Sequence, residues 1–593
     1  MTRRFRAFAA LAAPAALTAC ATLVPRANPP APVEVGAVEV GIVAINDFHG
    51  ALEPPRQSVQ TPDGAGGTAF VPAGGAAWLA SAIDSIRGKY ANHVTVSAGD
   101  LISGSQFASS LYLDEPAVGV MNRIGLEFNA VGNHEFDRGR TELLRIQNGG
   151  CAKNGLGQPC ALEAYAGARF PFLAANVVTE SGATLFPATG TKSFGEGARA
   201  VTVGFVGLTL KGTPTLVVPS SVAGLSFGDE AEAINTATAR LKAAGADAVV
   251  VLIHQGGRTT GTPDPQGCEG LNGEILPILD RLSPAVDVVV SGHTHWAYIC
   301  ERALPGRPSP LLLTSAGVFG ELVTDIRLAI DPVRHAVVAR AARNVIVQST
   351  PYEGSRGPLT LVESYPQFAP RPDIAAYVAK YVDASKEYSS RVVGHLAGIA
   401  SRPGGDAART GGPLGNLIAD AQLAATRDAG AQIAFMNPFG IRAPGTLIPG
   451  EGGALTFGQL YQVQPFGNTL VTQSFTGAEL KAVLEQGFDG DGPVQVLTPS
   501  RGFAYRYDLS RPVGQRIVAM TLGGKPIDPR ATYRVATSNF LAQGGDSFTL
   551  FAKGREVVQG VGTDLAALEA WLQPSPPRPI PSEERTTEVT AKP

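Results

Sequence analysis

Acidic, amide and imidazole side chains recur at one kind of position in this 593-residue chain, directly after short apolar runs. The chain has only eight histidines, and five of them stand at such positions. The residues concerned are Asp47, His49, Asp100, Asn133, His134, His254, His293 and His295. A single histidine after a strand is usually an ordinary loop residue, and a lone aspartate often caps a helix. Recurrence after five runs instead indicates that a cation compensates the buried polar groups.

The candidate ligands offer oxygen and imidazole nitrogen but no thiolate, a set that suits Zn²⁺, Mn²⁺ or Fe²⁺ and suits Ca²⁺ poorly. Seven ligands are more than one tetrahedral ion needs, whereas two ions sharing a bridging carboxylate would use them all. Two metals ~3.5–4 Å apart form a clamp for in-line displacement at phosphorus. The sequence therefore predicts two divalent metal ions as cofactors, with zinc, manganese and iron left open.

The apolar runs that precede these residues predict the elements that position them. The runs are rich in Val and Ile, and they end in "NDFHG", "SAGD", "VGNHEFD", "IHQGG" and "SGHTH". Short continuous apolar runs followed by glycine and polar residues are typical of buried strands. Segments with helical spacing, such as "AAWLASAIDSIR", lie between some of them. Strands alternating with helices predict an α/β layered domain, and such sheets place their sites at strand ends.

The five motifs, in this order between residues 40 and 296, resemble those of the calcineurin-like metallophosphoesterases. More narrowly, they resemble the bacterial 5'-nucleotidase family, which includes periplasmic UDP-sugar hydrolases. The resemblance implies a four-layer α-β-β-α sandwich domain, joined by a helix to a C-terminal α/β substrate domain. It also assigns the metal ligands: Asp47, His49 and His295 hold the first metal, Asp100 bridges, and Asn133, His254 and His293 complete the second site.

The same resemblance implies that His134 is the catalytic histidine facing the phosphate and that Asp137 is its partner carboxylate. The carboxylate would keep the imidazole cationic. A cationic imidazole can stabilise charge on phosphoryl oxygens or protonate a leaving group. Glu135 has no implied chemistry, and we expect it to be structural or solvent-facing.

The second half of the chain contains three stretches that resemble the family's substrate domain, "MNPFGIR", "QPFGN" and "SNFLAQGGDSF". A phenylalanine is usually a core residue, but the resemblance implies that two of them sandwich a nucleobase. The implied substrate-binding residues are Arg409, Asn437, Arg442, Phe466, Asn468, Phe540 and Asp546. In this set the phenylalanines stack on the base, Asn468 contacts it, Asp546 binds ribose and the arginines meet phosphate or ribose. Pro438 and Phe439 stand where the family often has glycines, which leaves substrate preference open.

The N-terminus predicts export. A basic start is followed by an apolar run too short to span a bilayer, and "LTAC" resembles a bacterial lipobox that would lipidate Cys20. An ordinary cleaved secretory signal is the alternative. Both interpretations place the protein in the periplasm or at the cell surface. The predicted division is a signal peptide 1–20, a Pro-rich stalk 21–37, a dimetal domain 38–345, a linker and helix 346–390, a substrate domain 391–572 and a disordered tail 573–593.

Four further cysteines in an exported chain predict disulfides, Cys151 with Cys160 and Cys268 with Cys300. A four-cysteine zinc site is the weaker alternative, because no CxxC spacing occurs. The formal net charge of -3 and the lack of a long basic run argue against a nucleic acid polymer as partner. Oligomeric state stays open.

The function that these observations predict is hydrolysis of nucleoside 5'-monophosphates by metal-activated water. The alternatives are a 2',3'-cyclic-nucleotide phosphodiesterase with 3'-nucleotidase activity and a UDP-sugar or NAD pyrophosphohydrolase. A surface nucleotide-binding module with structural metals is the non-enzymatic alternative. The pair His134 and Asp137 argues against that module, because a purely structural site would not need it.

Overall fold

A computed structural model describes residues 36–154, 157–307, 309–354, 357–404, 409–442, 444–490, 493–573 and 576–589. The predicted signal peptide with Cys20, and all but the last two residues of the predicted stalk, lie outside these ranges. Within the described ranges, no helix has the length and apolar character needed to cross a membrane.

The N-terminal domain is built on two six-stranded sheets that pack face to face. The first sheet contains, in spatial order, Ala336–Ile346, Leu322–Asp331, Val38–Ile45, His93–Ser97, Phe128–Ala130 and Phe172–Leu173. The second contains Ala297–Arg302, Leu311–Ala316, Val288–Ser291, Ala248–His254, Val201–Thr209 and Thr189–Phe194. The central strands of each sheet run parallel, so their carboxyl ends lie at one edge.

Helices cover the outer face of each sheet. Ala76–Arg87 and Glu115–Ile124 pack on the first sheet, and Glu230–Ala243 and Ile275–Leu279 pack on the second. Strand side chains alternate between layers: in Ala248–His254, Val250 and Leu252 enter the core between the sheets, and the residues between them face the helices. Burial on both faces explains the continuous apolar runs in the sequence, and the predicted four-layer α-β-β-α sandwich is confirmed.

The C-terminal domain has its own sheets and cores. A five-stranded sheet contains Thr498–Pro499, Ile433–Met436, Thr532–Ser538, Thr469–Thr476 and Arg555–Thr563. A four-stranded sheet contains Lys525–Pro526, Ile517–Leu522, Phe503–Tyr507 and Thr586–Glu588. The helices of this domain are Gly412–Ala425, Phe457–Val463, Gly477–Glu485, Asn539–Ala542 and Asp564–Leu572. The predicted α/β substrate domain is confirmed.

The predicted connecting helix is Pro372–Ser389. Its buried side chains, Ile374, Tyr377 and Tyr381, belong to the helix-side core of the N-terminal domain, and the guanidinium carbon of Arg123 lies 3.6 Å from the centroid of the Tyr377 ring. The helix is therefore anchored on the first domain and delivers the chain to the second.

The predicted disulfides are both present. Cys151 pairs with Cys160, and Cys268 pairs with Cys300. The second bridge ties the loop that follows Ala248–His254 to the strand Ala297–Arg302, which follows two predicted ligands. The loop that carries Cys268 and the loop that carries His293 and His295 are therefore both attached to this strand.

The C-terminal tail is more ordered than its sequence predicts. Its Pro-rich, charged composition predicts disorder over 573–593. Thr586–Glu588 instead pairs in parallel with Phe503–Tyr507. Arg585 is only 5% exposed, and its two terminal nitrogens bond the carboxylate oxygens of Asp420 at 2.7 and 2.9 Å. The prediction of disorder is wrong for residues 576–589, since strand pairing, a buried ion pair and the packing of Ile580 on the domain core hold this segment.

Candidate active site

The loops that carry the predicted metal ligands meet at the carboxyl edge of the two sheets. Their backbones bond one another directly: the Asp47 amide donates to Gly99 O and the His49 amide to Asp100 O, both at 3.0 Å. Five of the ligand candidates have positive φ, namely Asp47, His49, Asp100, His293 and His295. Non-glycine residues adopt this conformation at a cost, and such residues cluster at functional sites.

The seven side chains converge in two connected groups. In the first, His295 Nε2 lies 3.2 Å from His49 Nε2 and 3.4 Å from Asp47 Oδ1. In the second, His254 Nε2 lies 3.0 Å from Asp100 Oδ2. Asp100 Oδ2 is also 3.7 Å from His49 Nε2, so this carboxylate stands between the groups.

Asn133 and His293 complete the second group. The Asn133 amide oxygen lies 3.0 Å from His293 Nδ1, and the His293 amide donates to Asp47 Oδ2 at 3.0 Å. The structure thus brings together all seven residues that the sequence assigns to metal binding.

The protonation of the histidines tests whether a cation fits. His49 Nδ1 faces Ser103 O at 2.8 Å, and His254 Nδ1 faces Ala98 O at 2.9 Å. A carbonyl only accepts, so each Nδ1 donates a proton to it, and Nε2 is the ring nitrogen that each histidine turns to the centre of the site. Metal-ligating histidines are oriented in this way.

Two atoms of the cluster are buried without a well-formed hydrogen bond among the described residues, Asp100 Oδ2 and His254 Nε2. Unpaired lone pairs and carboxylate charge in a dry site are costly, and divalent cations would compensate them. Oxygen and nitrogen donors without sulfur suit zinc, manganese or iron. The residues present therefore fit the predicted pair of metals.

His134 lies beside this cluster with the partner that the sequence predicts. Its Nδ1 is 2.7 Å from Asp137 Oδ2, and its ring centroid is 5.1 Å from that of His49. Burial lowers the pKa of His134, but the carboxylates of Asp137 and Asp100 outweigh it and raise the pKa above the ordinary value. The arrangement can hold a proton on an imidazole that faces the site.

Glu135 is buried and positions the neighbouring loops. Its carboxylate accepts hydrogen bonds from the amides of Asp100, Leu101 and Gly132, at 3.0, 2.8 and 2.7 Å. Burial, followed by the charge of Asp100, raises the pKa of Glu135 to about 8. Of the two roles left open, the structural one is correct and the solvent-facing one is wrong.

The C-terminal domain reaches the cluster through Arg442 and Phe466. Arg442 Nη2 lies 3.3 Å from His49 Nε2, and the guanidinium carbon lies 5.6 Å from the centroid of the Phe466 ring. The Phe466 ring in turn stacks on His134, with centroids 5.8 Å apart and planes at 11°. The site is therefore built at the contact between the two domains.

The other predicted substrate residues form two sets, those that bond one another and those that bond residues outside the predicted site. Asn437 Nδ2 donates to Asp546 Oδ2 at 2.6 Å. Burial raises the pKa of Asp546 to about 6, although this hydrogen bond and the charge of His134 both act to lower it. By contrast, Arg409 pairs with Glu588 of the tail at 2.6 Å, and Asn468 Nδ2 donates to Asp564 Oδ2 at 3.3 Å.

Phe540 packs against the core of the C-terminal domain. A side chain at Gly545 would collide with its ring, because a Cβ there would lie 2.5 Å from the ring carbons. Among the described residues, no ring contact joins Phe540 to Phe466.

Sequence reasoning missed Arg402, which holds the loop that carries Arg442. Its Nη1 donates to Pro438 O at 2.6 Å and to Ile441 O at 2.9 Å. Burial, followed by the charge of Arg442, lowers the pKa of Arg402 to about 10. No motif marks this arginine, because its partners are carbonyls whose positions only the folded loop creates.

The domains also meet away from the metal cluster. Phe107 packs edge to face on Phe457 and Tyr461, with ring centroids 5.2 and 5.1 Å apart. The Tyr461 hydroxyl hydrogen-bonds Ser110, which also accepts from Arg138 at 2.7 Å. These contacts join Phe457–Val463 of the second domain to the loop beside the cluster.

Two family models match the chain. Calcineurin-like phosphoesterase covers residues 41–297, and the model named 5'-nucleotidase, C-terminal domain covers residues 392–553. The first match spans every metal-ligand candidate, and the second spans every substrate-side candidate. The class that the fold and the site define is therefore that of the calcineurin-like phosphoesterases.

Similar proteins and solved structures identify the family within this class. The chain is 26% identical to "Probable 5'-nucleotidase" of Treponema pallidum (strain Nichols), over 86% of the chain and 87% of the relative. A 5'-nucleotidase precursor from Thermus thermophilus superimposes with a TM-score of 0.73 at 27% identity, over 93% of this chain and 100% of that one. The chain belongs to the 5'-nucleotidase family.

A third relative shows that this architecture also occurs in longer proteins. "Endonuclease YhcR" of Bacillus subtilis (strain 168) is 30% identical over 85% of the chain. The chain spans only 37% of the length of that curated relative.

Proposed function

We propose that the protein removes phosphate from nucleoside 5'-monophosphates. The observation that carries this proposal is the meeting of three features at one place: the seven-ligand cluster, the pair His134 and Asp137, and the two C-terminal residues Arg442 and Phe466. Family membership and the name of the Treponema relative support the same substrate class. A site that only bound metal would not need the histidine, its carboxylate or the arginine.

The proposed chemistry assigns each group a task. Bound divalent cations would supply Lewis acidity at a phosphoryl oxygen and lower the pKa of water. Asp137 fixes the proton on His134 Nδ1, so that Nε2 can present a second proton to the phosphoryl or leaving oxygen. Arg442 donates to the phosphate with a charged group, which makes the hydrogen bond stronger than a neutral one.

On the substrate side, Phe466 and Phe540 are proposed to stack on the base, and Asp546 with Asn437 is proposed to bind ribose. Stacking contributes ~1–3 kcal/mol per base and is tolerant of base identity. Phe466 stacks on His134 in this structure, so a base can stack on that face of Phe466 only after the two rings separate. A domain movement that opens the contact would allow this exchange.

Export to the periplasm or cell surface, with Cys20 as a lipid attachment point, is a further part of the proposal. It rests on the N-terminal sequence, and the presence of two disulfides supports an oxidising compartment.

Phosphate release from AMP tests the proposal. The purified protein is assayed with added Mn²⁺ or Zn²⁺, with and without a chelator, alongside His134→Ala and the matched control His335→Ala. The His335 side chain is 71% exposed and pairs with Asp247, and it lies on a turn at the opposite edge of the sheet from the ligand loops. We expect His134→Ala to lose about 10²–10⁴-fold in kcat, the range for general acid–base groups, with metal content unchanged, and the control to behave as wild type.

Turnover by His134→Ala at the wild-type rate would refute the role of this histidine. A chelator-insensitive wild-type enzyme would refute the metal assignment. A panel of AMP, UDP-glucose, 2',3'-cyclic AMP and NAD then separates the monoesterase from its diesterase and pyrophosphohydrolase alternatives.

A further inference from the structure

A tryptophan stands exposed directly after the last predicted metal ligand. Trp296 follows His295, so their Cα atoms are ~3.8 Å apart, and its side chain is 37% exposed, unusual for a large aromatic residue. Its ring is fixed in place, because Nε1 donates to Thr259 Oγ1 at 2.9 Å and its carbonyl accepts from Ser315 Oγ at 2.7 Å. The indole N–H and the backbone of Trp296 are thus both held at the position that directly follows a predicted ligand.

Arg258 lies beside that face without a counter-ion. Its guanidinium carbon is 5.9 Å from the centroid of the Trp296 ring. Nε is buried and makes no hydrogen bond among the described residues, and burial lowers the pKa of Arg258 with no carboxylate to offset it. Two other arginines of the domain, Arg145 and Arg138, each pair with a carboxylate.

The loop that carries Arg258 is held rigidly in this position. The backbones of Arg258 and Asn272 bond each other in both directions, at 2.8 and 2.9 Å. Gly257 O accepts from Thr294 Oγ1 at 2.8 Å, and the Gly257 amide donates to the Tyr298 hydroxyl at 3.1 Å. The disulfide between Cys268 and Cys300 closes the same loop. A fixed cation and a fixed ring lose little entropy when a ligand binds.

We propose that Trp296 and Arg258 form a second subsite that binds the far half of a pyrophosphate-linked substrate, namely an anionic phosphate linked through a ribose to a planar ring. The inference rests on the proposed function, since the metal cluster must bind the reacting phosphate. An unpaired cation selects the anion, and the exposed indole face stacks on the ring. Among the described residues, the groups that Trp296 and Arg258 contact belong to the N-terminal domain, so this subsite is distinct from the one at Phe466 and Arg442.

The reaction at such a substrate is a balanced hydrolysis. The oxygen of water bonds to the reacting phosphorus, and the bond from that phosphorus to the bridging oxygen breaks. The departing phosphate takes the bridging oxygen, and the protons of water end on the two phosphate products. Each product keeps one half of the original dinucleotide, and the half on the Trp296 side is the leaving group.

Kinetics with two substrates test the subsite. On the side of the reacting phosphate that faces away from its adenosine, AMP carries no further group. NAD carries a second phosphate, a ribose and a nicotinamide ring there. We expect Arg258→Gln to lower kcat/KM for NAD about tenfold or more, as loss of a charged hydrogen bond does, and to change kcat/KM for AMP less than about twofold. The matched control is Arg302→Gln, which removes a charge paired with Asp280 on the surface of the following strand.

Fluorescence gives a second readout that does not depend on turnover. In a His134→Ala background, NAD should quench tryptophan emission, and the quenching should disappear in Trp296→Phe but persist in Trp571→Phe. Equal losses for AMP and NAD in Arg258→Gln, or quenching that survives Trp296→Phe, would overturn the subsite. If the wild-type protein hydrolyses neither substrate, the proposed function fails while the titration still decides whether NAD stacks on Trp296.

Discussion

The two sides of the candidate site are built differently. On the N-terminal side, the ligands follow neighbouring parallel strands, and the loops that carry them bond one another through Asp47, His49 and Asp100. On the C-terminal side, the predicted residues come from separate loops. Arg442 and Phe466 reach the cluster, whereas Arg409 bonds the tail and Asn468 bonds Asp564.

This difference shows at which positions a sequence motif predicts the location of a side chain. A residue at the end of a buried strand has its position set by the register of the sheet, which the whole core maintains. A residue in a long loop has its direction set by whichever partner the folded chain offers. Arg409 illustrates this, because its partner Glu588 lies 179 residues away in the tail.

The largest expected effect is on the N-terminal side. Asp100→Asn weakens the carboxylate that stands between the two ligand groups, and a metal contributes several kcal/mol to the transition state, so we expect a loss on the order of a thousandfold in kcat. Metal content measured on the same sample should fall. The exposed Asp383→Asn serves as control, and full metal content with full activity in Asp100→Asn would contradict a shared metal site.

The next prediction tests whether the C-terminal tail stabilises its domain. Arg585→Ala leaves Asp420 buried without its partner, which typically costs about 3–5 kcal/mol in the free energy of unfolding. Urea unfolding measures this difference. Arg501→Ala removes an exposed arginine beside Glu583 and should cost less than about 1 kcal/mol. Equal stability of Arg585→Ala and wild type would mean that the tail does not hold the domain in solution.

Substitution of two arginines, Arg442 and Arg409, tests which of the predicted C-terminal residues act on substrate. Arg442→Ala should lower kcat/KM for AMP by about 10–100-fold, because a charged hydrogen bond contributes ~1.5–3 kcal/mol. Arg409→Ala should change it less than about twofold, since that guanidinium pairs with Glu588. Steady-state kinetics measure both. A large loss in Arg409→Ala would show that this arginine turns toward substrate and that its tail contact is not the working arrangement.

The last prediction concerns a buried carboxylate with a raised pKa. Burial alone raises the pKa of Glu321 from 4.5 to about 8. Between these values the folded protein retains a proton that the unfolded chain releases, so the free energy of unfolding falls as pH rises from about 4.5 to about 8. Glu321→Gln cannot lose this proton, and its stability advantage over wild type should grow with pH and level off above about pH 8. Urea midpoints across this range measure the gap, and a constant gap would contradict the shift.

Much of the fold could be predicted because the signals are local and repeated. Apolar runs such as Ala248–His254 are continuous since the strand is buried on both faces, and the helix Pro372–Ser389 shows its apolar spacing directly. The disulfides were predicted from an even cysteine count in a chain whose N-terminal sequence predicts export. The tail was mispredicted because Arg585 and Asp420 lie 165 residues apart in the chain, and composition carries no information about such a pair.

The sequence by itself determined which residues gather at the metal cluster, because strand ends in a layered α/β fold share one edge and the polar residues there have no other reason to recur. Only the tertiary structure decided what Glu135 bonds, which way Arg409 turns, that Arg402 supports the loop of Arg442, and that Arg258 lies unpaired beside Trp296. Each of these depends on partners brought together from distant parts of the chain. Hydrogen bonds and ion pairs act over a few ångströms, so their partners exist only once the chain has folded.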